Sequence, residues 1–319
     1  MISKRDAKLI SKKISEYDNI VIVKHQLPDW DAQGSAMGLA HLIEENWINK
    51  NIYIPGARLN DDQNFAKNFD QNTLSKALVI TVDTGNSSRL DFDQWNQGAE
   101  IIKIDHHIPV ENYGNYNIVD VEAVAAAQVI GMWAIMMKLK ISKEAAENIY
   151  TGISTDSGRF LFDRTSPETM EVAKTLLMAG ADLNKINKFL YVGSLKQRQW
   201  TNYAFGKMQL TKSGIAHIIL EEKDYKKFDL SYDEVKSALS TMAGLNEIKI
   251  WFAVIEWEGI YKVSLRSRDY DVNSVAINYN GGGHKLASGA KLKDLNEVKK
   301  LIANLEKLLK TKKGIENEK

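Results

Sequence analysis

Three short apolar runs in the first third of the chain end abruptly in acidic residues or histidine. They cover residues 21–23, 77–82 and 100–104, and runs rich in Val and Ile are typical of buried strands. Strands that alternate with helical patterns predict a parallel sheet, and ligands bind at the carboxyl edge of such a sheet. The side chains predicted to gather at that edge are His25, Asp29, Asp31, Asp83, His106 and His107.

A further acidic residue, Asp156, lies in Ser154-Thr155-Asp156-Ser157-Gly158, where small neighbours leave room for a ligand. We expect it to join the same set, at the end of another strand-like segment. Four carboxylates and up to three imidazoles would be electrostatically untenable in one cleft without a cation. This donor set suits Mn²⁺, whereas Mg²⁺ favours more oxygen ligands and water. A carboxylate shared by two ions would give the two-metal arrangement used in phosphoryl hydrolysis.

The first of these stretches also has a purely structural interpretation. Asp is a common helix N-cap, so Asp31 could serve only to begin the helix that follows, with His25 as an ordinary loop residue. Any single member of the set could likewise be structural. The density of the whole set favours a metal site.

Composition limits the classes of protein to which the chain can belong. With 319 residues the chain exceeds one average domain, and the absence of cysteine excludes disulfides, thiolate metal sites and cysteine nucleophiles. A formal net charge of +1 argues against a large basic surface for long duplex nucleic acid. No signal peptide or membrane-spanning apolar run is evident, so no membrane contact and a cytoplasmic location are expected.

The pattern along the chain predicts two α/β domains. Residues 1–182 are expected to form the parallel-sheet domain that carries the metal site, and residues 183–203 a polar helical linker. Residues 204–319 are expected to form a smaller α/β domain, with strands at 214–220, 248–256 and 261–268 and a tight turn at Glu258-Gly259.

The second domain contains a candidate anion site. Gly281, Gly282 and Gly283 could let backbone N–H groups converge on an anion, and His284 follows at once. Arg266 and Arg268 alternate along a predicted strand and share a face, from which a guanidinium could clamp a phosphate. The alternatives are a flexible glycine loop and solvated arginines.

Taken together, these patterns resemble the DHH phosphoesterase superfamily. Its four motifs are similar to His25-x-x-x-Asp29-x-Asp31, Val-Asp83-Thr-Gly-Asn, Asp105-His106-His107 and Thr-Asp156-Ser-Gly. The Gly281-Gly282-Gly283-His284 stretch resembles the signature of the companion DHHA1 domain. The resemblance covers nearly the whole chain and is greatest for the two-domain oligoribonuclease and pAp phosphatase group, also called nanoRNases.

The resemblance implies a division of roles within an active-site cleft between the two domains. One Mn²⁺ would take His25, Asp29 and Asp83, and a second would take Asp31, Asp83, His106 and Asp156, with Mg²⁺ or Co²⁺ as substitutes. His107 would face the scissile phosphate, and Asp105 would orient the ligand imidazole of His106. Arg266, with Arg268 in reserve, and the glycine loop with His284 would hold the terminal phosphate and nucleotide.

The implied activity is Mn²⁺-dependent hydrolysis of short 5′-phosphorylated oligonucleotides, including pApA, to mononucleotides, together with removal of the 3′-phosphate of pAp. A homodimer is left open. The rival interpretations are an inorganic pyrophosphatase or exopolyphosphatase, a RecJ-like exonuclease, and a nucleotide sensor without catalysis. The relatives of pyrophosphatase type lack the Gly-Gly-Gly-His stretch, a RecJ-like enzyme normally adds a further oligonucleotide-binding module, and a sensor would be expected to have lost ligands.

Overall fold

The computed structural model describes residues 2–59 and 64–316, without the side chains of His284 and residues 312–316. The chain divides into two compact units, Met1–Tyr191 and Val192–Lys319, and both combine helices with a sheet. The predicted α/β class is therefore confirmed. In the described part of the chain, no helix has the length and apolar character needed to cross a membrane.

The first unit alternates strands and helices before it ends in a run of helices. Its elements are α1 (Lys4–Glu16), β1 (Asn19–Val23), α2 (Trp30–Asn46), β2 (Asn51–Tyr53), α3 (Gln71–Ser75), β3 (Leu78–Val82), β4 (Glu100–Asp105), β5 (Tyr116–Val119), α4 (Ala126–Met137), α5 (Lys143–Asp156), α6 (Pro167–Met178) and α7 (Leu183–Tyr191). All five strands pair in parallel in the order β2-β1-β3-β4-β5. From β1 the chain continues to β2, the neighbour of β1 toward one edge of the sheet, and from β3 it continues to β4, toward the opposite edge. The direction in which strands are added therefore reverses between β1 and β3.

Alternation along the strands places apolar side chains on both faces of this sheet. Ile20 and Ile22 of β1 belong to the core under the helices α1, α2, α4, α5 and α6, whereas Val21 and Val23 belong to a smaller core on the opposite face. Helices α2 and α5 pack very closely, since a Cβ on Gly34 would clash with the carbonyl oxygen of Asn148. This packing fixes both helices beside the carboxyl edge of the sheet.

The second unit is a mixed sheet with helices on both faces. Its elements are α8 (Leu195–Phe205), β6 (Gln209–Leu210), β7 (Ile215–Leu220), α9 (Glu222–Tyr225), α10 (Tyr232–Lys236), β8 (Ile250–Trp257), β9 (Ile260–Ser267), α11 (Asn273–Ala276), β10 (Gly282–His284), β11 (Ala287–Leu292) and α12 (Glu297–Glu316). The strand order is β10-β11-β9-β8-β7-β6, and only the β7–β8 pair is parallel. Leu301 and Leu305 of α12 pack on one face, and Trp200 of α8 packs on the other.

Several predictions of local structure were incomplete or wrong. The stretch 183–203 is helical as predicted but consists of two helices, because α7 ends at Tyr191 and Ser194 caps α8 by accepting a hydrogen bond from the backbone N–H of Gln197. Strands β5, β6, β10 and β11 were missed. The glycine stretch was expected to be a loop, but Gly282 and Gly283 lie in β10, paired antiparallel with β11.

Candidate metal centre

The parallel sheet brings three of the predicted motifs to one place. His25 follows β1 by two residues, Asp83 directly follows β3, and His106 directly follows β4. These three strands are neighbours, and the strand order reverses between β1 and β3. Ligands of open α/β sheets bind at such a reversal, at the carboxyl ends of the strands.

Asp83 lies at the middle of this cluster. Its Oδ2 is 3.5 Å from His25 Nε2, and its Oδ1 is 3.4 Å from His106 Nε2. The residue is 2% exposed, and within the described chain its buried Oδ1 has no hydrogen-bond partner. Its φ of 53° is in the left-handed region, a conformation that costs roughly 1–3 kcal/mol and concentrates at functional sites. The Asp83 carboxylate therefore faces two imidazoles, and no ordinary hydrogen bond from the described residues satisfies its Oδ1.

Among the described residues, the cluster contains three overlapping groups of possible metal ligands. His25, Asp29 and Asp83 each offer one atom within a span of 4.8 Å, as do Asp31, His106 and Asp156, and also Asp83, His106 and His107. His106 Nε2 lies 3.8 Å from Asp31 Oδ2 and 3.4 Å from Asp156 Oδ2. The first two groups contain the side chains of the two implied ligand sets, with Asp83 grouped with His25 and not with Asp31 and Asp156. The third group places His107 beside Asp83, with 3.6 Å between His107 Nδ1 and Asp83 Oδ1. Carboxylate and imidazole donors of this kind fit divalent cations.

Backbone carbonyls orient both histidines. The ring Nδ1 of His25 lies 2.8 Å from the carbonyl oxygen of Gln26, and that of His106 lies 3.3 Å from the carbonyl oxygen of Ala123. When Nδ1–H donates to these carbonyls, the lone pair of Nε2 faces the carboxylates, which is the tautomer a metal requires.

The two carboxylates of the first motif also have structural roles. The N-cap of α2 is Asp29, not Asp31, because Asp29 Oδ1 accepts hydrogen bonds from the backbone N–H groups of Asp31 and Ala32, each at 3.0 Å. Asp31 instead accepts from the first turn of α4, at 2.7 Å from Ala126 N and 3.0 Å from Ala127 N. The positive end of α4 thus compensates part of the charge of a carboxylate that is only 1% exposed.

Two details of the predicted site were wrong. Asp156 does not follow a strand-like segment, because it is the last residue of helix α5. Asp105 does not orient the His106 ring, since its Oδ1 lies 2.8 Å from Nδ1 of His107 and meets His106 only at the backbone N–H. His106 and His107 project in different directions from the end of β4, and their positions in the sequence do not show which imidazole turns toward Asp105.

Burial disfavours charge throughout this cluster, but the carboxylates outweigh it at both histidines. Burial alone would lower the pKa of His25, yet Asp29 and Asp83 raise it to about 10. In the same way, Asp83 and Asp31 overcome the effect of burial and raise the pKa of His106 to about 9. Burial, reinforced by Asp83, raises the pKa of Asp31 well above its usual range and that of Asp156 to about 6. Without a cation, the cluster therefore retains protons.

Comparison with known proteins places these motifs in a family. Residues 19–153 match the DHH family N-terminal domain, and residues 213–311 match the DHHA1 domain. The chain belongs to the DHH family. The resemblance seen in the sequence motifs is confirmed.

Two named relatives and one solved structure match this DHH protein over nearly their whole length. A Streptococcus mutans protein named probable bifunctional oligoribonuclease and PAP phosphatase NrnA is 36% identical over 306 residues, which cover 95% of this chain and 99% of that protein. The Bacillus subtilis protein named bifunctional oligoribonuclease and PAP phosphatase NrnA is 32% identical over 305 residues, covering 94% and 97%. The crystal structure of an exopolyphosphatase-related protein from Bacteroides fragilis superposes with a TM-score of 0.85 at 25% identity, covering 99% of this chain and 98% of that one.

The DHHA1 unit contains the residues predicted to bind an anion. Arg266 is half-buried on β9, and the register aligns it with Trp251 of β8 on one side and Ala287 of β11 on the other. The backbone of His284 continues this row on β10, although its side chain lies outside the described part of the chain. Gly281 precedes β10, and Arg268 lies beyond the end of β9, where its Nη2 donates to the Leu245 carbonyl at 2.7 Å.

Sequence analysis of this DHH protein missed Lys103, which lies inside the apolar run Ile101-Ile102-Lys103-Ile104 and is completely buried. A charged residue within a buried strand was the available signal. It also missed the N-terminus of α4, whose amides reach Asp31 from 95 residues away in sequence. No local pattern could have found that contact.

The raised pKa values predict that metal binding releases protons. At pH 7.5, Mn²⁺ should displace protons from both His25 and His106, because their pKa values of about 10 and about 9 keep them protonated in the metal-free protein. Isothermal titration calorimetry in two buffers of different ionisation enthalpy counts these protons.

Both folded-state pKa values lie above the ordinary value of histidine, so proton release on Mn²⁺ binding should be present at pH 7. It should disappear only as the pH rises through about 9 and about 10, and the apparent affinity for Mn²⁺ should rise over the same range. The variant His217→Gln, which changes a buried histidine of the second unit, should leave the proton count unchanged. Binding without proton release at pH 7.5 would contradict this account of the cluster.

Proposed function

We propose that the chain is a metal-dependent phosphoesterase that hydrolyses short 5′-phosphorylated oligonucleotides to mononucleotides and removes the 3′-phosphate of pAp. Mn²⁺ is the proposed metal, with two ions in each active site. The observation that carries the proposal is that side chains of all four DHH motifs meet at one sheet edge, in a chain that matches oligoribonuclease and PAP phosphatases from end to end.

The chain's own residues prepare the site for an anionic substrate. Divalent ions held there would supply Lewis acidity and a nucleophile at neutral pH. His25 and His106 offer Nε2 to those ions because their Nδ1 atoms are engaged by backbone carbonyls. Asp83 directs Oδ2 toward His25 and Oδ1 toward His106, so this one carboxylate could serve both proposed ligand sets.

His107 is proposed to contact the scissile phosphate. Its ring Nδ1 is engaged by Asp105, so Nε2 is the ring nitrogen left to donate a hydrogen bond to a phosphoryl oxygen. The side chain is 40% exposed, whereas that of His106 is 8% exposed. This difference supports the proposal that His106 is a metal ligand and His107 meets the substrate. A donor fixed before the reaction stabilises charge that develops on the phosphate.

An assay panel tests this function against its rivals. With Mn²⁺, the protein should release mononucleotides from pApA and RNA of two to five nucleotides and phosphate from pAp, and should act poorly on RNA of about 24 nucleotides and on pyrophosphate or polyphosphate. Equal rates on 5-mer and 24-mer RNA would favour a RecJ-like exonuclease, and preference for pyrophosphate or polyphosphate would favour the exopolyphosphatase interpretation. Binding of nucleotides without turnover would favour a sensor.

The Asp83→Asn variant should lose nearly all turnover on every substrate in the panel. The asparagine amide has only one oxygen, so it cannot present an oxygen to both the His25 side and the His106 side of the site. Turnover should fall by about a thousandfold or more, because the variant would hold neither the metal ions nor the nucleophile that they supply in place. Elemental analysis should also show fewer bound metal ions. The matched variant Asp93→Asn changes an exposed carboxylate outside the cluster and should retain activity. Retained turnover and metal content in Asp83→Asn would refute the shared role.

Substrate binding by the second unit should be separable from chemistry. Arg266→Ala should raise KM for pAp roughly tenfold or more through loss of a charge-assisted contact to phosphate. It should leave Mn²⁺ content and hydrolysis of bis-p-nitrophenyl phosphate nearly unchanged, because that ester has no nucleotide to anchor. Arg268→Ala, the matched variant beyond the end of β9, should change KM little. If instead Arg268→Ala alone raises KM, the anion contact belongs to Arg268.

A further inference from the structure

Strand β4 carries a lysine that is completely buried. Lys103 is two residues before Asp105, so both side chains project from the same face of the sheet, away from the larger core. An ammonium removed from water is costly, and replacing a buried ion pair with apolar residues often leaves stability unchanged or improved. The position of this charge therefore points to a role other than stability.

The ammonium of Lys103 contacts three segments that border the metal centre. Its Nζ donates to the carbonyl oxygens of Gly85 at 3.1 Å and Glu111 at 3.2 Å, and it lies 3.3 Å from Asp105 Oδ2. The ring of Tyr113 covers it, with 4.9 Å between Nζ and the ring centroid. One cation thus joins the loop after β3, the end of β4 and the loop after β4.

The contact with Asp105 leads directly to His107. Asp105 Oδ1 faces His107 Nδ1 at 2.8 Å and accepts from the backbone N–H of His106 at 2.9 Å. Its Oδ2 is buried and accepts no hydrogen bond from the described residues, so Lys103 supplies the opposite charge for that oxygen. Burial would raise the pKa of the Asp105 carboxyl, but His107 and then Lys103 hold it below its usual value.

The contact with Gly85 reaches His107 by a second route. A Cβ on Gly85 would lie 3.3 Å from the Cβ of His107, so the backbone of this loop forms a wall beside the histidine. The same two loops are joined again where Glu111 accepts a hydrogen bond from the backbone N–H of Ser87 at 2.9 Å and where the Tyr113 hydroxyl donates to the Thr84 carbonyl at 2.9 Å. Lys103 therefore adds to these two contacts between the loops, and its ammonium is the group that links both loop carbonyls to the Asp105 carboxylate.

We propose that Lys103 is a positioning residue for the hydrolysis of phosphate esters at this site. Its ammonium fixes the Asp105 carboxylate and the Gly85 and Glu111 carbonyls, and these hold the His107 ring with Nε2 directed toward the substrate phosphate. The inference rests on the proposed function, in which His107 contacts that phosphate. Lys103 itself touches neither substrate nor metal.

The chain offers a matched control for removal of a buried ammonium. Lys24 directly follows β1 and is also completely buried, but its Nζ lies 3.4 Å from the Pro55 carbonyl oxygen and, among the described residues, forms no ion pair with the cluster.

Lys103→Met should lower kcat for pAp and pApA by about tenfold to a hundredfold with little change in KM, because ground-state binding is retained while His107 loses its orientation. Lys24→Met should leave kcat within a few-fold of the original.

Because the chain has no cysteine, the ammonium can be restored chemically at this one position. Lys103→Cys, alkylated with 2-bromoethylamine in denaturant and refolded, carries a lysine analogue with its charge, whereas alkylation with iodoacetamide gives a neutral side chain. The first product should recover most of the lost kcat, and the second should not. Equal activity of the two products, or an unchanged kcat in Lys103→Met, overturns the proposal.

A readout without turnover separates this inference from the proposed function. In the metal-free protein, the downfield proton NMR signal of His107 Nδ1–H, assigned by its loss in His107→Gln, should move upfield or vanish through exchange in Lys103→Met and remain in Lys24→Met. If the unmodified protein cleaves no nucleotide substrate, the proposed function fails, while this signal still tests the positioning. An unmoved signal in Lys103→Met overturns it. If Lys103→Met does not fold, Lys103→Gln, whose neutral amide can still donate to one carbonyl, takes its place under the same criteria.

Discussion

The two-oxygen carboxylate of Asp83 is the constraint on which the rest of the site depends. It is held in a left-handed backbone conformation directly after β3, almost completely buried, with one oxygen toward His25 and the other toward His106. That geometry exists because β1, β3 and β4 are adjacent and parallel, so their carboxyl ends converge. Without a cation, repulsion among Asp83, Asp31 and Asp156 would be unfavourable, and the raised pKa values of Asp31 and Asp156 mean that retained protons relieve it.

The surrounding elements fix the donors before any ligand binds. Backbone carbonyls of Gln26 and Ala123 set the imidazole rings, and the first turn of α4 holds Asp31. Since α4 and α5 also pack on α2, Asp31 and Asp156 are attached to the main core of their unit through these helices. The buried Lys103 extends the same arrangement to His107, the residue proposed to meet the phosphate.

The sequence allowed prediction where the residues that form a strand are followed directly by the residues that form the site. Strands β1, β3 and β4 are apolar runs, and their ends carry the motifs, so both the parallel sheet and the site could be predicted from them. Prediction failed where tertiary pairing decides the structure. Strands β10 and β11 are rich in small residues with weak strand preference and exist because they pair across the sheet. Asp156 lies on a helix because of how α5 packs. Asp105 contacts the ring of His107, and not that of His106, because of side-chain rotation. Residue spacing encodes neither feature.

Electron paramagnetic resonance of the protein loaded with two equivalents of Mn²⁺ tests the central claim most directly. If one carboxylate joins the two ligand groups, the ions lie close enough for exchange coupling, and the spectrum should show a coupled pair. Occupation of both sites by uncoupled ions, each with an isolated six-line signal, or saturation at a single equivalent, would contradict the account of Asp83 as the shared ligand.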